Sequence, residues 1–285
     1  LQHYFVSAWI PSQQTSHDYF ASQLSNGDNV IGYKNQNVDI APGSATTITQ
    51  TLYVGPKDQV VLADLAKYLD LVIDYGWLWW LAKPLFLLLT LIQQFVINWG
   101  LAIIALTVIV KLVFFRLSAA SYKSMAKMRT VQPKIQSIKD QYADDKAKQQ
   151  QAMMELWKKE KINPMGGCLP MLIQMPVFIA LYWVLLESVE LRHAPFILWI
   201  DDLSAMDPYF VLPILMGISM WLMQRLNPAP PDPMQAKIMM YMPIAFTFLM
   251  MWFPAGLVLY WLSNNLLSFA QQYVVTRQIE QAAAR

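Results

Sequence analysis

Lys111 stands in "LTVIVKLVFFR", residues 106–116, where only Thr107 and Arg116 among its ten neighbours are not apolar. An ammonium at the centre of a membrane helix costs roughly 2.5 to 3.5 kcal/mol on insertion scales. A lysine that sheds its proton is a base, and Ser118 or Ser121 would be its nucleophile. A lysine that keeps its charge marks a polar pathway or snorkels to the boundary as an anchor. The serines lie seven and ten residues on, past the apolar run, and no G-x-S-x-G or H-E-x-x-H occurs, which argues against an intramembrane protease. Cys168 is the one cysteine, so no intrachain disulfide forms. His3, His17 and His193 are scattered, and no Cys/His set has metal-ligand spacing. The expectation is no catalytic residue, no metal and no cofactor.

The elements that must position Lys111 are membrane helices. The 285 residues are 56% hydrophobic and 14% charged, with 17 Met and 11 Trp, against roughly 25% charged in a soluble domain. A net charge of +2 is too small to argue for nucleic-acid binding. Apolar blocks predict spans at about 95–115, 165–187, 209–226, 238–253 and 256–274. The fourth is short, which implies a thin bilayer or a helix buried by its neighbours. Residues 116–163 carry eleven Lys and Arg against five acids, whereas 191–208 holds Arg192 with Asp201, Asp202 and Asp207. The positive-inside rule then places 116–163 and the C-terminal tail 277–285 in the cytoplasm. Within that basic segment, "SYKSMAKMRTVQPKIQSIKDQY" and "DDKAKQQQAMMELWKKEK" predict a helical hairpin turning near Ala143–Asp145, kinked at Pro133. It is either a solvated connector or a docking arm for a partner or anionic lipid headgroups.

Residues 1–62 differ. "YFVSAWI", "VIGYK" and "SATTITQTLYV", with turn chemistry at "SNGDN", "APGS" and "VGPKD", predict the C-terminal part of a β-sandwich lying outside the membrane. The chain begins inside that pattern without an initiator Met, so a processed or truncated chain is expected. Residues 63–92 form a lead-in. Leu69, Val72, Ile73, Gly76, Trp77, Trp80 and Leu81 share a helical stripe, predicting a Trp-rich amphipathic helix lying in the interface. The rival is a span over 76–92, with Lys83 and Pro84 near its middle.

"NPMGGCLPMLIQMPVFIALYWVLLESVELR" at 163–192, "DPMQAKIMMYMP" at 232–243 and "WFPAGLVLYWLSNNLLS" at 252–268, together with "SYKSMAKMRTVQPKIQ", resemble the YidC family of membrane protein insertases. The likeness runs from about residue 60 to 276. The preceding β segment is similar to the end of the periplasmic domain of Gram-negative members. The resemblance implies a mainly α fold, with a five-span insertase core over 93–276 in the inner membrane. It implies a hydrophilic groove open to cytoplasm and lipid, with a positive charge in the first core helix that attracts the polar part of an incoming chain. Lys111 occupies the position of that charge, where most members carry arginine. Partners implied are nascent membrane proteins, the ribosome, the signal recognition particle and its receptor, the Sec translocon and membrane lipids.

Other groove candidates carry a packing alternative beside the functional one. Thr107 lies one turn before Lys111, either lining a polar path or bonding back to a carbonyl. Gln174 either pairs with a neighbouring helix or faces the groove. Asn264 and Asn265 pose the same choice, and packing is expected for at least one. Trp261 matches a last-helix position that is aromatic in the family. Met175 and Met216 match groove-wall positions; thioethers suit a surface that accepts varied apolar segments, or fill gaps in a bundle. Pro164, Gly166, Gly167, Cys168, Pro170 and Pro176 read as a bent, closely packed helix start. The rival function is a secondary transporter or channel using Lys111 in a polar pathway, against which stand the lack of an inverted repeat and of an acidic proton relay.

Overall fold

The computed structural model describes residues 3–12, 16–34, 39–160, 169–227 and 233–283. The chain forms two compact units, Leu1–Asp74 with Glu187–Glu190, and Tyr75–Leu186 with Leu191–Arg285.

In the first unit, strand β1 (Phe5–Ile10) pairs antiparallel with β4 (Thr51–Pro56), and β2 (Asp18–Gln23) pairs antiparallel with β3 (Asn29–Lys34). Each strand is six residues long. The β2–β3 turn is the "SNGDN" stretch, where Gly27 takes φ +91°, a region that favours a residue without Cβ. Two details differ from the sequence pattern. "DYFASQ" forms a strand although Asp18, Ser22 and Gln23 dilute its β character, because β3 supplies a partner along its full length. The strand expected over "SATTITQTLYV" begins only at Thr51, where β1 offers its backbone. Helix α1 (Gln59–Leu65) is capped by Asp58, whose Oδ1 accepts from the amides of Val60 and Val61 at 2.9 and 3.0 Å.

The single amphipathic helix expected from Leu69 onward is broken. Ile73 turns extended and Gly76 takes φ +64°, leaving 3-10 turns at Leu69–Val72 and Gly76–Leu78. The helix proper, α2, runs Trp79–Val96 straight through Lys83 and Pro84. It buries Ala82, Leu85, Phe86 and Leu89 and exposes Trp80, Leu87, Leu91 and Phe95.

Ile97 ends α2 in the left-handed region, and the Asn98 side chain caps α3 (Trp99–Val113). Phe114 leaves helical geometry, and α4 (Phe115–Thr130) departs at 69° to α3. A further break at Val131 precedes α5 (Gln132–Gln141), so Pro133 sits in the first turn of a new helix rather than kinking an old one. There its missing N–H costs nothing. Asp145 Oδ1 accepts from the Lys148 amide at 3.0 Å and starts α6 (Lys146–Lys159). Val131 and Ile135 are the centre of the hairpin's own small core, with Met128, Met153 and Leu156 packed on it. Lys134 Nζ lies 2.6 Å from Glu160 Oε1.

Helix α7 (Leu169–Glu187) contains Pro176; α8 (Val211–Leu226), α9 (Pro233–Met250) and α10 (Ala255–Ala283) complete the bundle. Helix α10 packs on α3, α4 and α8, α8 also packs on α9, and α2 packs on α3. The α8–α9 approach depends on Gly217: a Cβ there would meet Thr247 Oγ1 at 1.9 Å. A residue without a side chain permits this closeness. Asp202 and Asp207 serve locally, Asp202 Oδ1 accepting from the Ser204 amide and hydroxyl. Asp207 is buried and accepts from Trp199 Nε1 and from the Tyr209 and Leu212 amides, fixing the start of α8.

By length and composition, one described helix is long and apolar enough to cross a membrane, Gly76–Val96, and α3 with α4 qualifies only as a bent pair. Residues 172–187, 211–226 and 234–250 form shorter apolar helices. At about 1.5 Å per residue, α3, α8 and α9 reach roughly 22 to 27 Å, less than the roughly 30 Å hydrocarbon core. Pro164, Gly166, Gly167 and Cys168 lie outside the described residues, as do the side chains of Pro170 and Met171.

Candidate functional site

Helix α3 is apolar except for one face. Thr107 and Lys111, one turn apart, turn that face towards α10. Lys111 is half-buried, and its Nζ donates to Ser268 Oγ at 2.7 Å. Ser268 in turn donates to the Asn264 carbonyl at 2.6 Å, and the Tyr122 side chain of α4 lies beside the same serine. Among the described residues no carboxylate pairs with Lys111. A cation is therefore held by neutral oxygen, one turn or so inside the bundle.

The polar character continues along α10. Asn265 is buried and donates to Ser219 Oγ of α8 at 3.0 Å, so it is the packing member of the asparagine pair. Asn264 is half-buried, and its Oδ1 has no hydrogen-bond partner among the described residues. Further along, Gln272 Nε2 donates to Asn227 Oδ1 at 2.8 Å and Gln271 Nε2 donates to the Phe115 carbonyl at 3.0 Å. The spacing 261, 264, 265, 268, 272 places these groups along one side of a helix.

The other candidates divide. Thr107 is buried and its Oγ1 donates back to the Ile103 carbonyl at 2.7 Å, which leaves its lone pairs as the remaining polar feature. Gln174 donates to the Tyr260 hydroxyl, a bond between α7 and α10. Trp261 is wedged edge-on against Phe178 of α7, ring centroids 4.4 Å apart, and against Phe246 of α9 at 4.8 Å. Its Nε1 has no hydrogen-bond partner among the described residues. Met175 is exposed, whereas Met216 is wholly buried beside the Ser219 bond to its own carbonyl. Lys111 on α3 and Trp261 on α10 thus lie on two helices that pack together, while Met216 faces the interior of the bundle.

Ser268, Tyr122 and Ser219 were not singled out from the sequence. Ser268 was discoverable as the next polar residue, i+4, after Asn264. Tyr122 carried no such signal, because its approach depends on the 69° turn at Phe114.

Residues 91–282 match the family model described as 60Kd inner membrane protein, and residues 1–88 match that of the YidC periplasmic domain. A membrane protein insertase YidC of Marinomonas sp. (strain MWYL1) is 65% identical over 284 residues, 99% of this chain and 51% of that protein. One of Cellvibrio japonicus (strain Ueda107) is 61% identical over 100% of this chain and 52% of its own length. A crystal structure of an active YidC insertase with its first transmembrane domain resolved superposes with a TM-score of 0.61 at 25% identity, covering 94% of this chain and 70% of that one. The chain belongs to the 60Kd inner membrane protein family, the YidC family that its motifs resemble. It combines the family's helical core with strands of the periplasmic domain, and it spans about half the length of the curated relatives it matches.

Proposed function

We propose that the helical unit is a membrane protein insertase groove, in which Lys111 offers an uncompensated positive charge to the polar segment of an incoming chain while its hydrophobic segment moves along α7 and α9 into lipid. The observation that carries this is the state of Lys111: half-buried in the bundle, bonded to a serine and to no carboxylate among the described residues. A structural cation in an apolar bundle is normally paired with an acid. The names of the relatives support the same activity. The mechanism needs no covalent chemistry and no cofactor.

The core helices α3, α7, α8, α9 and α10 are the five spans of this reading, over 93–276, with the β unit in the periplasm and the hairpin and tail in the cytoplasm. Short helices suit a bilayer thinned around them. Helix α2 lies in the interface: its exposed face carries Trp80, Leu87, Leu91 and Phe95, with Trp77 and Trp79 exposed just before it, and a crossing would carry Lys83 into hydrocarbon. Thr107, Gln174, Met175, Met216 and Trp261 surround the path, Met175 and Trp261 as contacts for substrate. Ribosome, signal recognition particle and receptor meet the basic hairpin, and the Sec translocon is the partner for larger substrates.

Depletion rescue with the full-length protein tests the groove. Lys111→Arg should restore growth and insertion of a small single-span substrate, and Lys111→Ala and Lys111→Glu should not at equal protein levels. Full activity of all three would reduce Lys111 to a boundary anchor. Solute flux in liposomes without insertion would favour the transporter.

A further inference from the structure

Lys111 lies five residues before Arg116, about 7.5 Å along a helix, and a lysine stem is long enough to carry its ammonium most of that way to water. Something must keep it inside. We infer that Ser268 is the positioning residue of the groove cation, its hydroxyl holding the Lys111 ammonium within the bundle. The inference rests on the groove reading of Lys111 above.

A serine hydroxyl has one proton to donate and two lone pairs to accept with. At Ser268 the proton goes to the Asn264 carbonyl, 2.6 Å away on the same helix. That bond fixes the side-chain rotamer and polarises the oxygen as an acceptor. Lys111 donates to this oxygen at 2.7 Å, and Tyr122 lies beside it on α4. These two bonds use the one proton and one of the two lone pairs of the hydroxyl, and Ser268 is buried, so its place is fixed from within the bundle. The node lies where three elements pack together, since α10 contacts both α3 and α4.

The neutrality of the acceptor matters as much as its position. A carboxylate at 268 would hold the ammonium more tightly but cancel the field that an acidic segment feels. A hydroxyl fixes the cation and leaves its charge unspent. Threonine at 268 keeps this device, and alanine removes it while changing the volume by one oxygen.

The test uses the full-length protein in lipid nanodiscs, treated with a water-soluble amine-acylating reagent, with modification of Lys111 read by peptide mass spectrometry against the exposed Lys127. Ser268→Ala should raise the relative rate at Lys111 by about tenfold, the factor commanded by a hydrogen bond to a charged group. Ser268→Thr should label at the parent rate. An unchanged rate in Ser268→Ala overturns the inference, and so does an equal rise in Ser268→Thr, which would indicate loosened packing. Insertion assays on the same preparations separate the two levels. A normally active Lys111→Ala with raised labelling in Ser268→Ala removes the groove charge and keeps the positioning; an inactive Lys111→Ala with unchanged labelling keeps the groove charge and removes the positioning.

Discussion

The Asn98 side chain is bonded at both ends: its Oδ1 accepts from the Leu101 amide at 3.0 Å and its Nδ2 donates to the Phe196 carbonyl at 2.9 Å. One residue thereby starts α3 and pins the segment that follows α7. The Phe196 ring lies against Gly100, where a Cβ would come within 2.0 Å of it. The start of the lysine-bearing helix is thus set by a cap, a cross-link and a missing side chain.

Asn98→Ala should destabilise the protein by about 1 to 2 kcal/mol, the usual cost of losing a cap. Asn98→Ser, which keeps an acceptor for the amide but not the donor to Phe196, should recover part of that loss. Thermal unfolding in detergent, followed by tryptophan fluorescence, checks both; equal melting temperatures for the parent and the alanine variant would show that neither bond contributes.

Trp261 separates stacking from hydrogen bonding. Since its Nε1 has no partner among the described residues, Trp261→Phe forfeits no hydrogen bond within the protein. It keeps ring contacts with Phe178 and Phe246, each worth about 0.5 to 1.5 kcal/mol beyond burial. Trp261→Phe should therefore melt within a few degrees of the parent, and Trp261→Ala well below it. If the indole N–H meets polar groups of the passing chain, the phenylalanine variant will insert substrate more slowly at unchanged stability. Parent-level insertion by that variant would assign Trp261 to packing alone.

The hairpin has an acid limit. Bonds from Lys148 hold the Asp145 carboxyl below its ordinary range, and the Lys134 ammonium does the same for Glu160. A lowered folded pKa means that the stabilisation is complete above the ordinary carboxylate pKa of about 4 and fades as pH falls through the folded value. Between neutrality and pH 5 the hairpin should be unchanged, and below about pH 4 α6 should fray from its first turn. Amide exchange over residues 146–159, corrected for intrinsic rates, measures this. Asp145→Asn, still able to cap, should weaken the pH dependence at the α6 start, and a parent-like acid response in that variant would place its origin elsewhere.

How much of this was legible in the sequence depended on whether a feature was periodic or contact-made. The core helices follow from apolar runs, and the hairpin from its Lys/Gln-rich helix formers with Asp145 as a stop and start. Lys111 drew attention because one charge among apolar residues carries a large cost. Broken geometry was not legible. The helix drawn from Leu69 breaks at Ile73, which has no turn preference, and at Gly76, whose place on the apolar stripe masks its freedom to turn; the corner at Phe114, another residue without turn preference, hides the approach of Tyr122 to Ser268. Met216 shows the same limit: a thioether suits both a slide and a core, and its complete burial is set by which neighbour it meets.

The corner at Phe114 makes a lever. At about 1.5 Å per residue, the 16 residues of α4 extend roughly 24 Å. Turned by 69°, they advance only about 9 Å along the line of α3 and swing about 22 Å to the side. A rotation of α3 about its own axis by about 10° would sweep the far end of α4 through about 4 Å on that geometry. Read in reverse, a modest sideways push on the hairpin becomes a twist of the helix that carries Lys111, with Phe114 as the elbow.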